Sequence, residues 1–287
     1  MIELKIGGVP EHFNMPWHLL LQSGKLAEKE IAASWTDFSG GTGAMVEALN
    51  NNQVDLAMLL TEGAVSGIDK RGSFKIISFY VSSPLVWGIH VPADSPFQTM
   101  NEVKGQRYAI SRYGSGSHLM SFVDAKSRDW PLSALRFELV GNLDGARQAL
   151  KEKKAEIFLW EKFTTKPYVD NGEFRRIDEC PTPFDCFVIC ASQKALEQKE
   201  KAIYQTVKKV FKTAAKLYID PMRSAIIANH YHLMEEDVEI WLDSVSWTEK
   251  IDLEKKTLKK VITTLSGLDL IKPDLKYKDL VWKLGKL

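Results

Sequence analysis

The sequence predicts an α/β protein made of two similar lobes followed by a helical tail. Three observations carry this. Apolar runs of strand length alternate with amphipathic helical stretches over residues 4–191, the chain resembles itself at an offset of 101 positions, and beyond residue 194 strands give way to helices. The 287 residues, 45% hydrophobic and 26% charged, are enough for one large core or two moderate ones. Thirty-eight basic against 37 acidic residues give a formal charge of +1, which supplies no global field for nucleic acid or an anionic bilayer. Neither is expected as a partner.

The alternation places strands at 4–9, 31–36, 56–60, 75–80, 86–91, 107–111, 135–139, 157–160 and 184–191. Helical patterns fall between them at 16–22, 42–50, 117–127 and 143–151, and this order implies largely parallel sheets. In the tail, apolar spacing alone predicts helices over 197–218, 221–229, 235–244, 253–266 and 277–284. Six lysines crowd residues 199–216, but Ile203, Val207, Val210, Phe211, Ala214 and Leu217 recur among them at helical spacing. That pattern is a solvated helix face. The acidic run Glu235-Glu236-Asp237 opens another helix, where negative charge suits the dipole.

The self-resemblance is specific. Ala48-Leu49, four polar residues and Val54-Asp55-Leu56-Ala57-Met58 are matched by Ala149-Leu150, four polar residues and Ala155-Glu156-Ile157-Phe158-Leu159. Each reads as a helix end, a tight turn and a strand opened by an acid, and each strand ends near a second acid, Glu62 or Glu161. Such an offset is too long for a solenoid repeat and indicates two related lobes. The extended segments 86–91 and 184–190 bracket the second lobe. Residues 1–88 and 190–287 are therefore expected to form a discontinuous first lobe and 89–189 the second, joined by a two-strand hinge that permits closure.

Residues 1–9 already read as a strand and lack the tripartite run of a signal peptide, so a cytoplasmic location is expected for the chain as it stands. Removal of a leader would make it periplasmic or cell-surface. No apolar stretch approaches the ~20 residues that span a bilayer, so direct membrane insertion is not expected. Cys180, Cys186 and Cys190 are odd in number and lack a Cys-x-x-Cys pair, which favours reduced, packed thiols over a disulfide framework or zinc.

The loop Val9-Pro10-Glu11-His12-Phe13, the Gly40-Gly41-Thr42-Gly43 turn, Val54-Asp55-Leu56-Ala57, and Val103-Lys104-Gly105 leading into Ser111-Arg112-Tyr113-Gly114-Ser115-Gly116-Ser117-His118 resemble type II periplasmic-binding-protein folds. Within these the chain most resembles the nitrate, sulfonate, taurine and thiamine-precursor branch of transporter substrate-binding proteins. The resemblance covers residues 3–192 well and the tail loosely. It implies a solute-binding protein that captures a small molecule in an interlobe cleft by hinge closure, with ABC-transporter membrane subunits as partners. It also implies that the Gly-Ser-x-Ser-His element, here Ser115, Ser117 and His118, starts a helix facing that cleft.

Open parallel sheets bind ligands beyond the carboxyl ends of their strands, where Gly41, Thr42, Thr61, Glu62, Arg112, Tyr113, Trp160 and Glu161 are all expected. Glycine-rich helix starts offer free N–H groups to an acceptor. Phe13, Trp17, Tyr113, Trp160 and Phe184 can form flat walls, while Glu11, Glu62, Glu161 and Asp185 supply carboxylates. Burying such acids unpaired is costly, so the expected ligand is small, polar and nitrogen-bearing, stacked on Trp160 or Phe13, rather than nitrate or a plain sulfonate.

Catalytic signatures are weak. Six histidines form no persuasive set, and His230-x-His232 with Met234 places its imidazoles in different directions on a helix, so no metal site is expected. No G-x-S-x-G elbow, H-E-x-x-H motif, Walker loop or dinucleotide fingerprint occurs at the expected positions. No cofactor is expected. The same fold is used by cytosolic enzymes of menaquinone and thiamine-precursor synthesis and by ligand-sensing modules, so both readings stay open.

Overall fold

The structure is a computed structural model that describes residues 1–285. In chain order the strands are β1 (Ile2–Gly8), β2 (Ile31–Asp37), β3 (Leu56–Leu60), β4 (Phe74–Val81), β5 (Val86–Pro92), β6 (Arg107–Ile110), β7 (Arg136–Leu139), β8 (Ile157–Glu161), β9 (Phe174–Pro181) and β10 (Phe187–Ser192). The helices are α1 (Met15–Gln22), α2 (Gly41–Asn50), α3 (Thr61–Arg71), α4 (Gly116–Ser127), α5 (Leu143–Lys151) and α6 (Lys166–Asp170), then α7 (Gln193–Tyr218), α8 (Arg223–Tyr231), α9 (Glu235–Leu242), α10 (Lys255–Ser266) and α11 (Tyr277–Leu280).

The chain divides into two compact units, one of residues 1–83 and 184–287 and one of 84–183. These boundaries fall earlier than the expected 88/89 and 189/190. The reason is that neither bracketing strand is shared: β5 pairs along its length with β8 and β9, and β10 pairs with β3 and β4.

The first unit is built on a five-stranded sheet of order β2-β1-β3-β10-β4. β1 runs parallel to β2 and β3, while β10 is antiparallel to both β3 and β4. Its buried residues include Leu4, Ile6, Leu56, Met58, Ile76 and Ile189, and α7 presents Ile203, Val207, Val210 and Phe211 inward. Four lysines expected on the solvated face of that helix, Lys201, Lys208, Lys212 and Lys216, are exposed. The predicted last helix stops at Leu280, because Val281 instead bridges Ile76 on β4 in parallel and Trp282 N–H donates to the Ile76 carbonyl at 2.9 Å. The tail thus covers an edge strand that would otherwise expose unpaired backbone groups.

The second unit repeats the scheme as β7-β6-β8-β5-β9, with β5 antiparallel to its neighbours β8 and β9. Both sheets are therefore largely parallel, as expected, with one antiparallel strand in each. The strand entering each unit from the other is the reversed one.

The internal repeat is visible in hydrogen bonds. After α2 the chain turns through Asn52 at φ 55, and after α5 through Lys153 at φ 57. In the first unit, Asp55 N–H donates to the Lys5 carbonyl at 2.7 Å while Lys5 N–H donates to Asp55 Oδ2 at 2.8 Å. In the second, Glu156 N–H donates to the Arg107 carbonyl at 3.0 Å and Arg107 N–H to Glu156 Oε2 at 2.9 Å. Each acid also meets a base, Lys199 Nζ at 2.9 Å from Asp55 and Arg107 Nη2 at 3.2 Å from Glu156. Asp55→Ala removes both a charged acceptor and an ion pair at the start of a central strand. It is expected to cost about 1.5–3 kcal/mol in urea unfolding.

Three elements have no counterpart in the sequence expectation, α3, α6 and β9. Gly63 and Gly67 lower the helix propensity of α3, yet a Cβ at Gly63 would lie 2.4 Å from Thr42 Cγ2 and one at Gly67 3.0 Å from Phe74 and Val46. Packing, not propensity, selects them. β9 reads Phe-Arg-Arg-Ile-Asp-Glu-Cys-Pro, charged because it is an edge strand bonded only to β5.

Candidate functional site

In the first unit, β1, β2 and β3 lead into α1, α2 and α3, whose N-terminal turns follow the carboxyl edge of the parallel strands. The last residue of β1 is Gly8, where a Cβ would lie 2.6 Å from the Trp35 ring and 2.7 Å from Asn14 Nδ2. The following loop does not offer all its predicted groups to a ligand. Glu11 is half-buried, but His12 and Phe13 are core residues, 2% and 3% exposed. His12 stacks on Phe13 at 5.0 Å and meets Trp241 edge-on at 4.2 Å; burial pushes its pKa down to about 3, so the ring is neutral. Phe13 packs on Phe187 and Trp241.

Gly41 opens α2 at φ +66, a conformation that favours glycine. Thr42 Oγ1 accepts from Leu60 N–H at 3.4 Å, which ties the start of α2 to the end of β3. The N–H groups of Thr42 and Gly43 have no acceptor among the described residues. Thr61 is a staple: its N–H donates to the Cys186 carbonyl at 2.9 Å and its hydroxyl to the Asp185 carbonyl at 2.7 Å. Phe184 is buried, and Asp185 is pushed up to about 6 by burial and by Glu254 and Asp252.

Glu62 is different. It is 1% exposed, and neither carboxylate oxygen has a hydrogen-bond partner among the described residues. Burial pushes its pKa up to about 7, with only its own backbone N–H acting the other way.

The sequence reading missed a group of rings in the first unit. His18 on α1 lies 4.9 Å from Trp35 on β2 and 4.6 Å from His230 on α8, with Tyr231 at 6.2 Å. Trp35 Nε1 donates to Asp37 Oδ1 at 2.8 Å, and the Tyr231 hydroxyl is buried without a hydrogen-bond partner among the described residues. Burial, then the nearby His230, lowers the His18 pKa, while Asp37 opposes them. The one signal was Trp35-x-Asp37 at the carboxyl end of a strand; His230 comes from a helix almost two hundred residues away in sequence. His232 closes α8 in the left-handed region at φ 54, and His230 meets both His18 and Tyr231, each at 4.6 Å.

In the second unit, the Gly-Ser-x-Ser-His element does start a helix, α4, capped by Ser115. Its hydroxyls are committed internally. Ser115 Oγ accepts from His118 N–H at 3.3 Å, Ser117 Oγ accepts from Ser111 N–H at 3.1 Å, and the two oxygens lie 3.1 Å apart. Gly114 N–H donates to His118 Nδ1 at 3.1 Å, which fixes Nε2 as the protonated nitrogen of a neutral ring. Phe122 and Phe137 flank that ring. What remains for a ligand is the backbone: Gly116 and Ser117 N–H have no acceptor among the described residues. Tyr113 is 63% exposed, Arg112 is half-buried, and Trp160 is half-buried and stacked on Phe158 at 5.5 Å. Glu161, buried and pushed up to about 7, accepts from Phe163 N–H, Thr164 N–H and the Thr164 hydroxyl at 3.0, 2.7 and 2.8 Å, so it organises its own turn.

The three cysteines are buried and unbridged, and among the described residues no helix is long and apolar enough to cross a membrane.

Residues 87–180 match the family model described as Ca3427-like PBP. The whole chain is similar in structure to the CA3427 gene product of Candida albicans, whose description is of a family with the generic periplasmic-binding-protein fold. Identity is 26% and the TM-score 0.90, over 99% of this chain and 97% of that one. It is also similar to the alkanesulfonate-binding protein SsuA of Xanthomonas axonopodis pv. citri bound to MOPS (16% identity, TM-score 0.82, 99% of both chains) and to the periplasmic aliphatic sulphonate binding protein SsuA of Escherichia coli (17%, 0.74, 100% and 94%). The protein has the type II periplasmic-binding-protein fold. No curated protein matches the chain in sequence.

The helical tail, which the sequence resemblance covered only loosely, lies within the matched length.

Proposed function

We propose that the protein captures a small, polar, nitrogen-bearing solute and releases it chemically unchanged, with closure hinged at the two chain crossings. The observation that carries the ligand class is Glu62. A carboxyl group buried to 1% with neither oxygen bonded costs several kcal/mol when charged, and an N–H donor or ammonium on the ligand would offset that cost. Asp37 and the rings of Trp35, His18 and Tyr231 add an acid and flat, electron-rich faces suited to the same chemistry. The free N–H groups of Thr42, Gly43, Gly116 and Ser117 suit an acceptor on the ligand's other end. Trp160 offers a stacking face. Sulfonate-binding neighbours share the fold, but a fully anionic ligand would meet an unpaired acid here. Membrane subunits of an ABC importer are the proposed partners.

A thermal-shift panel tests this. Amino-heterocycles and small amines are compared with alkanesulfonates on the wild type and on Trp160→Ala. A true ligand at ~100 times its dissociation constant adds about 2.7 kcal/mol of stability. The expected result is a shift from a nitrogen-bearing solute that Trp160→Ala largely abolishes, each shift being read against the same protein without ligand because loss of the Trp160–Phe158 stack lowers the variant's own melting temperature. Stabilisation by alkanesulfonates alone would overturn the ligand class.

A further inference from the structure

The second unit holds a cavity of about 730 Å³ that none of the residues discussed above as ligand contacts lines. It lies at the other edge of the sheet. Pro92 ends the antiparallel β5, Ala155 and Glu156 precede and lead into β8, and Phe174 begins β9, whereas Ser111–Ser117 and Glu161 follow or end strands at the opposite edge. Its volume is in the range of sites for small organic molecules, roughly 300–1,000 Å³.

The cavity is preformed. Arg175 holds the loop after β5 by donating to the carbonyls of Ala93, Ser95 and Phe97 at 2.9, 2.7 and 2.8 Å. Pro92 and Pro96 restrict the same loop further. Leu150, Ala155 and Phe174, each at most 2% exposed, give an apolar floor, and Phe97 with the prolines gives an apolar wall.

The charge around it is sorted. Arg147 spans Glu173 at 2.7 and 2.9 Å and Asp144 at 3.1 Å, and its guanidinium lies 4.5 Å from the Tyr168 ring centre. Glu156 is held by Arg107. Three lining charges then make no ion pair among the described residues: Lys151, Lys153 and Asp94. Lys153 is set by the left-handed turn, at φ 57, that closes α5. The apolar floor and wall suit an apolar body, and Lys151 and Lys153, outside any ion pair among the described residues, are the groups to meet an anionic head.

We propose that this cavity is a second binding site, for a small organic anion carrying an aromatic or alicyclic body. It is independent of the solute-binding reading above, since it shares no residue with that site.

The probe is 2-naphthoate, with 2-naphthylmethylammonium as its charge-reversed counterpart, followed by amide ¹H–¹⁵N spectra of the full chain. Naphthoate is expected to give saturable shifts confined to residues 93–97, 144–156 and 173–174, leaving 111–118 unmoved. The double variant Lys151→Gln/Lys153→Gln, both exposed positions, should weaken binding about tenfold with the rest of the spectrum unchanged. Phe97→Ala should weaken it by a similar factor through the apolar wall. No saturable shift from naphthoate, equal binding of the ammonium compound, or unaltered affinity in the double variant would each overturn the proposal.

Discussion

Replacing Glu62 with glutamine is expected to stabilise the protein by about 3 kcal/mol at pH 8 and by only a few tenths at pH 4.5. The carboxyl is displaced from 4.5 to about 7 by burial, and each pH unit of displacement is worth about 1.4 kcal/mol. The folded chain keeps this proton up to about pH 7, while the unfolded chain releases it near 4.5. Glu62 therefore leaves stability intact below pH 4.5 and erodes it progressively as pH climbs from there through 7. Glutamine has the shape of the protonated form and removes the dependence. His12 and His90, pushed down to about 3 and 4 by burial, act in the other direction as pH falls below 6.5, but they are common to both proteins and cancel in the comparison. Denaturant unfolding of wild type and Glu62→Gln at the two pH values checks this. The same variant should bind a cationic or N–H-donating ligand more weakly, so stability would be gained at the expense of recognition.

Phe13→Ala is expected to cost about 3–5 kcal/mol of stability. The ring is 3% exposed, tilted on Phe187 at 5.0 Å and edge-on to Trp241 at 5.1 Å. The backbone cannot readily move in to fill the void, because the Phe13 carbonyl accepts from the Tyr80 hydroxyl at 2.8 Å and from Trp247 Nε1 at 2.9 Å. Urea unfolding would show the loss as a lower midpoint. A variant that kept its midpoint but lost ligand binding would return Phe13 to the role of a stacking wall that its sequence position suggested.

Phe13 shows where the sequence stops being informative. An aromatic after a strand can face a ligand or a core, and only the arrival of Trp241 and Trp247 from the distant tail decides it. The strands and helices that follow apolar periodicity were legible because burial of one face dictates them; β3 and α5 fall at the predicted residues. α3 was not, because Gly63 and Gly67 serve close packing and carry no helical signature. Among the acids, Glu62 and Glu161 look alike in sequence, at the ends of the two repeat instances. Their surroundings separate them: Glu161 accepts three bonds that close its turn, and the Glu62 carboxylate accepts none among the described residues. The serine–glycine turn was read correctly as a helix start, yet its hydroxyls bond one another and leave only backbone N–H groups. The His18–Trp35–His230 group assembles from three separate elements, which no local pattern reveals.

The central claim is that the chain binds one small nitrogen-bearing molecule and does not transform it. Native mass spectrometry of protein purified without added ligand, repeated after prolonged incubation with the solute released on denaturation, tests it most directly. The account predicts a one-to-one adduct whose solute contains nitrogen and is recovered with its mass unchanged. Recovery of a product of different mass, or an adduct formed only with nitrogen-free anions, would contradict it.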